Sequence, residues 1–180
     1  MDPGFLLIRP GTWHDLPGIV KILNDTAETS NATFSTRPTT VEERHEWMEQ
    51  FSSTGPYRLF VAWLGDAMGF ACSQRYRSHE AFRQTVEVSI ALDAGCRGRG
   101  VGTRLYQHLF AALAGEAVHV ALAGIALPND ASVALHRRFG FVEVGAFREY
   151  AVKNGQYISS MWMQRLEQAT DGRRPYQIDP

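Results

Sequence analysis

The stretch "GCRGRGVGTRLYQHL", Gly95 to Leu109, sets four glycines and three arginines at the entrance to a run with helical character. A helix N-terminus presents unpaired backbone N–H groups and a partial positive charge, which suits phosphate. Glycines remove the side chains that would hold phosphate oxygens away from those groups. Arg97, Arg99 and Arg104 add charge at the rim. The spacing decides which cradle is meant. A P-loop needs a lysine and then Ser or Thr after its last glycine, whereas Thr103 and Arg104 follow Gly102. A dinucleotide fingerprint runs G-x-G-x-x-G after the first strand of a βαβ unit. Here Gly98, Gly100 and Gly102 run G-x-G-x-G after a middle strand. What remains is Arg-x-x-Gly-x-Gly, Arg97 to Gly102, between a strand and a helix.

The rest of the chain makes any such anion site a local one. Its 180 residues carry a net charge of −1, so no overall field draws nucleic acid or a membrane surface. A hydrophobic share of 44% and a charged share of 21% belong to an ordinary globular protein. One domain over 1–169 with a loose tail at 170–180 is expected. No run approaches the roughly 20 apolar residues of a membrane span. The opening "MDPGFLLIRPG" has a short apolar piece with no basic region before it, a poor signal peptide. Cys72 and Cys96 give neither a disulfide framework nor metal-ligand spacing, so no metal is expected. A cytoplasmic location is the expectation, and the sequon Asn31-Ala32-Thr33 then reads as accidental.

Periodicity supplies the elements. "FLLIRP" reads as a strand, and "TWHDLPGIVKILNDTAE" as a helix from about Thr12 with Leu16, Ile19, Val20 and Leu23 at helical spacing. "SNATFSTRPTT" reads as an exposed loop, after which Thr40 and Glu43 form a capping box for a helix "VEERHEWMEQF". Two β-rich runs flank Gly65-Asp66 as a hairpin. In "RQTVEVSIALDAG", Val86, Val88, Ile90 and Leu92 take one face while Glu87, Ser89 and Ala91 take the other. The glycine loop and its helix follow, then a buried strand "AVHVALAGIAL" and a short helix "NDASVALHRRFG". Two final strands turn at Asn154-Gly155.

The Arg97–Gly102 pattern resembles the pyrophosphate loop of the GCN5-related N-acetyltransferases, which bind acetyl-CoA. "PNDASVALHRRFGF" resembles the second acetyl-CoA element of that family, and the match in order runs from Arg9 to Leu166. The resemblance implies a mixed α/β fold: a central, mostly antiparallel twisted sheet of about six to seven strands, splayed at the acetyl-CoA site and flanked by about four helices. "TFSTRPTTVEERHEWM", "FRQTVEVSIAL" and "IALPNDASVALHRRFGF" resemble one branch, the phosphinothricin and methionine sulfoximine acetyltransferases. These acetylate the α-amine of small amino-acid-like compounds.

On this resemblance Glu87 is the expected base. An α-ammonium, which ordinarily titrates at about 7.7–8.0, must lose a proton before it attacks a thioester. His136 stands where many members carry a tyrosine, and is the expected proton donor or hydrogen-bond partner for the departing thiolate. Arg77 and Arg83 are expected to clamp an acceptor carboxylate, with Phe34, Tyr76 and Phe82 as aromatic walls. Ile90, Ala91 and Leu92 would offer backbone groups to the pantetheine arm. Arg97, Gly98, Arg99, Gly100, Val101 and Gly102 would hold the pyrophosphate, with Asn129 and Ser132 near the thiol end. Cys96, beside Arg97, has a setting that would lower its pKa, but it reads as a bystander because transfer in this family is direct.

Three departures from the branch stand out: Arg37 where relatives carry a glutamate, Ala91 for an aromatic, and Ala94 for a proline. Arg37 suggests a shift toward a more acidic acceptor. Other acceptors (a polyamine, an aminoglycoside, a protein N-terminus) and a CoA-binding regulator without turnover are the competing readings. A homodimer is implied by the resemblance alone.

Overall fold

The computed structural model describes residues 5–167; the expected tail lies outside the described residues. Seven strands make one sheet: β1 (Leu6–Pro10), β2 (Arg58–Leu64), β3 (Ala67–Arg75), β4 (Thr85–Leu92), β5 (Val120–Ala126), β6 (Val142–Lys153) and β7 (Gln156–Leu166). Their order is β1-β2-β3-β4-β5-β7-β6, and every pairing but β4–β5 is antiparallel. Both expected hairpins form. At the second, Asn154 and Gly155 have φ of 51° and 73°, the left-handed pair that a tight two-residue turn requires.

Four helices, α1 (Leu16–Thr29), α2 (His45–Glu49), α3 (Val101–Leu113) and α4 (Asp130–Arg138), cover the sheet. Alternation along β2 and β3 decides what each face meets. Phe60, Ala62, Leu64 and Ala71 pack with Val86 and Val88 of β4 against Leu105, Tyr106, Leu109 and Phe110 of α3. The intervening Leu59, Val61, Phe70 and Cys72 pack against Leu16, Ile19, Val20 and Ile22 of α1 and Met48 of α2. So α1 and α3 lie on opposite faces. This is the mixed α/β architecture that the resemblance implied.

Two boundaries differ from the periodic reading. A single 3-10 turn, Trp13–Asp15, precedes α1. The expected helix from Val41 to Phe51 is reduced to a 3-10 turn, Glu42–Arg44, and the five residues of α2. Thr40 and Glu43 do exchange hydrogen bonds at its start, at 3.0 and 3.2 Å. The Ser-Ser-Thr-Gly-Pro run from residue 52 ends it, since these residues favour turns over helix.

The sheet is split at its centre. β4 and β5 pair only at Thr85–Val120, Val86–Ala121 and Glu87–Leu122. Beyond Glu87 the two strands part, while β4 stays paired to β3 as far as Leu92 and β5 to β7 as far as Ala126. Each keeps its outer partner, so the ladder opens without either strand losing order.

Candidate active site

The split holds a cleft of about 520 Å³. Residues 88–92 of β4 form one wall and residues 123–126 of β5 the other. Arg97, Asn129, Ser132 and His136 close the α3 and α4 side, while Thr26 and residues 30–33 close the α1 side. Along its β5-facing edge past Glu87, β4 has no neighbouring strand. Its backbone groups there, apart from the Leu92 carbonyl, which accepts from Arg97, are open to an extended, amide-bearing chain, as an added strand would use them.

The glycine loop meets the cleft at the start of α3. Gly98 and Gly100 have φ of 69° and 76°, and a Cβ at either would meet nothing within 4 Å. Glycine is needed there for backbone conformation, not for room. Gly102 differs, since its Cβ would stand 3.3 Å from Leu135 and 3.4 Å from Ile90, so it sets how closely α3 packs. The helix starts at Gly100 with no side-chain cap and no acidic residue in its first turn. Its first helical bond is Arg104 N–H to the Gly100 carbonyl at 3.1 Å. The N–H groups of Val101, Gly102 and Thr103 therefore precede the helical ladder. Arg97 Nε donates to the Leu92 carbonyl at 3.1 Å, which brings the guanidinium to the cleft. An uncapped N-terminus, two left-handed glycines and the Arg97 guanidinium fit a pyrophosphate. Asn129 caps α4 by accepting from Ser132 N–H at 3.2 Å, leaving its amide N–H groups as donors beside the cleft.

Glu87 occupies the last paired rung before the strands part. With Ser89 and Ala91 it lies opposite Gln74, Cys72 and Phe70 of β3, which places it on the α1 face. Its carboxylate is half-buried and, among the described residues, makes no hydrogen bond or ion pair. Burial alone pushes its pKa above the usual carboxylate range. A carboxylate in that condition is a stronger base than an exposed one.

His136 is 2% exposed and both its nitrogens are engaged. Nδ1 lies 2.8 Å from the Ser132 carbonyl and Nε2 lies 2.8 Å from the Tyr106 hydroxyl. A carbonyl only accepts, so Nδ1 carries the proton and Nε2 accepts from tyrosine. Burial lowers the imidazole pKa, opposed by the Ser132 bond, and the ring is neutral near pH 7. The expected proton donor thus has its one N–H already committed.

The expected acceptor-binding residues gather beside the cleft; none of them lines it. Tyr76 and Phe82 meet edge-to-face at 5.5 Å, with the Arg77 guanidinium 5.2 Å from one ring and 5.6 Å from the other. Arg83 makes an exposed pair with Glu80 at 3.3 Å. Phe34 meets Tyr150 at 5.6 Å. Trp162, which no motif signalled, joins the first group to the cleft. Its ring contacts Tyr76 at 6.3 Å and covers Gly124, where a Cβ would stand 3.1 Å from the indole. Also unforeseen is the loop over residues 30–33, because a Ser/Thr-rich segment reads the same whether it lines a site or faces water.

Two smaller expectations change. Arg37 is exposed and bound to both carboxylate oxygens of Glu43 at 2.8 and 3.2 Å. That bond, with those from Thr40 and Thr39, lowers the Glu43 pKa to about 2. Arg37 is therefore committed to the loop and does not line the cleft. Cys96 is buried, and burial with Asp93 raises its pKa against the opposing pull of Arg99, so Arg97 does not activate it. Ala91 lines the cleft and Ala94 is exposed.

Residues 19–141 match the model of a family described as the acetyltransferase (GNAT) family. The chain belongs to the acetyltransferase (GNAT) family. It is 42% identical over 161 residues to a phosphinothricin N-acetyltransferase of Streptomyces coelicolor, covering 88% of this chain and 94% of that one. It is 34% identical over 159 residues to an L-methionine sulfoximine/L-methionine sulfone acetyltransferase of Pseudomonas paraeruginosa, covering 87% and 92%. A crystal structure of a GNAT superfamily phosphinothricin acetyltransferase from Sinorhizobium meliloti, in complex with acetyl-CoA, superposes with a TM-score of 0.85 at 26% identity, covering 96% and 94%. The GNAT acetyltransferase is thus an acyltransferase, with acetyl-CoA held in a structural neighbour of the same fold. Among the described residues no helix is long and apolar enough to cross a membrane.

Proposed function

We propose that this acetyltransferase moves the acetyl group of acetyl-CoA directly to the α-amine of a small amino-acid-like compound of the phosphinothricin or methionine sulfoximine type. The observation that carries the reading is Glu87: a half-buried carboxylate, without a partner among the described residues, at the point where β4 and β5 part. The two curated relatives named for such compounds support the choice of acceptor. When bound, acetyl-CoA supplies an acyl group already activated as a thioester.

Glu87 takes the proton from the acceptor ammonium, directly or through one water, and so frees the amine; as the new C–N bond forms the thioester C–S bond breaks, and the proton that the amine then loses leaves with the thiolate as free thiol. Ile90 to Leu92 bind the pantetheine arm along the open edge of β4. Residues Arg97 to Gly102 hold the pyrophosphate, and Asn129 and Ser132 orient the thiol end. Arg77, held against Tyr76 and Phe82, takes the acceptor carboxylate, with Arg83 and Phe34 at the outer rim. His136 lies in the cleft wall and supports the site by fixing α4 against α3.

The chain pairs with a second copy through its edge strand β6. Val142, Val144, Phe147 and Val152 there are each more than half exposed, a run of apolar side chains that water alone does not favour. We place the enzyme in the cytoplasm. Light scattering that returns a monomer would remove the pairing.

An acceptor panel with acetyl-CoA, following free thiol, tests the reaction. Turnover on phosphinothricin or methionine sulfoximine should exceed that on polyamines, aminoglycosides and peptide N-termini. No turnover on any α-amino acid would overturn the reading.

A further inference from the structure

One buried cation has no part in the chemistry above. Lys153, the last residue of β6, is 3% exposed, yet among the described residues no carboxylate pairs with it. Its Nζ donates instead to two backbone carbonyls, of Ser30 at 2.7 Å and of Thr33 at 3.0 Å. These belong to the loop that closes the α1 side of the cleft.

Few other hydrogen bonds hold that loop, whose end packs Phe34 on Tyr150 of β6. Ser30 ends α1 by donating to the Thr26 carbonyl from its N–H at 3.1 Å and its hydroxyl at 3.0 Å. The loop's internal ties are side-chain bonds: Ala32 N–H to the Ser30 hydroxyl at 3.2 Å, Ser35 N–H to the Thr33 hydroxyl at 3.3 Å, and the Thr33 and Ser35 hydroxyls at 3.4 Å. The next firm anchor in the backbone is Thr39, bound to the Asn24 amide in both directions at 2.9 Å. Over residues 31–35, Lys153 makes the only hydrogen bond to another element among the described residues. The last turn of α1 has no basic residue of its own, so Lys153 also sets a positive charge at the negative end of that helix. An apolar side chain of similar length would fill the same space without the cost of burying an ammonium. The charge and its donors are what hold the carbonyls.

The geometry points to Lys153 as a positioning residue that fixes the loop over residues 30–33 as the acceptor-side wall of the cleft, and thereby sets acceptor affinity. This rests on the acetyl-transfer reading above. The loop lies on the α1 face, the face of Glu87, and runs directly into Phe34. The glycine loop and α4, which that reading assigns to acetyl-CoA, pack on the other face and close the opposite side of the same cleft. Loss of the tie therefore frees the α1 wall of the cleft while the glycine loop and α4 stay in place.

Lys153→Met removes the donors and keeps the length; Lys153→Arg restores charge and donors. In Lys153→Met, the acceptor KM should rise about tenfold while the acetyl-CoA KM, and its Kd by calorimetry, stay within about twofold. Lys153→Arg should recover most of the loss. Hydrogen exchange reads the same tie without turnover: amides 31–34 should exchange faster in Lys153→Met, with those of α3 unchanged. If Lys153→Met does not fold, Lys153→Gln, which keeps an N–H donor without charge, serves in the same comparison. A parallel loss of affinity for both substrates, or unchanged exchange at 31–34, overturns the proposal. A wild-type enzyme inactive on every α-amino acid would remove the acceptor reading, while the exchange result would still decide whether Lys153 holds the loop.

Discussion

The Tyr106 hydroxyl of α3 and His136 Nε2 of α4 lie 2.8 Å apart, both side chains buried, with His136 at the cleft wall and Tyr106 behind it. The direction of this bond follows from its neighbour: Nδ1 donates to the Ser132 carbonyl, so Nε2 accepts. The pair joins the glycine-loop helix to the helix that carries Asn129. Tyr106→Phe leaves a buried acceptor unpaired and should cost about 1–3 kcal/mol of stability. The kcat of the folded enzyme should stay within severalfold. His136 also adds a pH term to stability. Its folded pKa lies below the unfolded value of about 6.5, so its contribution is complete above that value and fades as pH falls through it. Nitrogen shifts of the imidazole should report the neutral Nδ1–H form at pH 7. A large fall in kcat with unchanged Tm in Tyr106→Phe would return His136 to the proton path.

Glu87→Gln removes the base and keeps the shape. Near neutral pH the acceptor is mostly ammonium, so kcat/KM should fall about 100-fold or more. Above the amine pKa the acceptor is already free and the deficit should shrink. A ratio of wild type to variant that stays flat with pH assigns the proton to another group.

Arg37→Glu addresses acceptor choice. Because Arg37 pairs with Glu43 outside the cleft, the ratio of turnover on methionine sulfoximine to that on an aspartate-like analogue should not change. A ratio that moves severalfold would show the loop reaching the acceptor.

The sequence displayed the fold and the glycine-loop side of the cleft more plainly than the α1 side. Gly98, Gly100 and the Arg97 spacing are local requirements of one turn, so they are visible in one stretch. The alternation of Val86 and Val88 with Glu87 likewise fixes which face each residue takes. The α1 side is assembled from distant pieces. Lys153 reaches Ser30 across 123 residues, and Trp162 covers Gly124 from a neighbouring strand. No local pattern records such meetings. His136 was visible as a residue, but its role depended on Tyr106, 30 positions away.

Gly100→Ala separates backbone conformation from packing. The new methyl would meet no atom within 4 Å, so any loss comes from forcing φ of 76° on an L-residue. That costs about 1–2 kcal/mol, or a shift of the loop. Acetyl-CoA affinity by calorimetry should fall about tenfold, with the acceptor KM little changed. Equal effects on both substrates would mean that the loop does more than hold the donor.

Arg9 and Asp15 tie β1 to the start of α1 through two bonds of 2.7 Å. Asp15 is 3% exposed and also accepts from the Thr12 N–H at 2.8 Å and hydroxyl at 2.9 Å. Burial alone would raise its pKa, but the bonds from Arg9 and Thr12, with the charge of Arg9, outweigh it and hold the pKa down. A depressed carboxylate stabilises the fold above its unfolded pKa of about 3.9, and the contribution is lost as pH falls through the folded value. Arg9 is 38% exposed, so solvent screens part of the attraction. Asp15→Asn should therefore cost about 2 kcal/mol at pH 7, below the range for a fully buried pair, or roughly 6 °C in Tm. At pH 3 the gap between variant and wild type should narrow. Thermal melts at the two pH values check it, and a gap that widens in acid would show that the carboxylate was not held ionised.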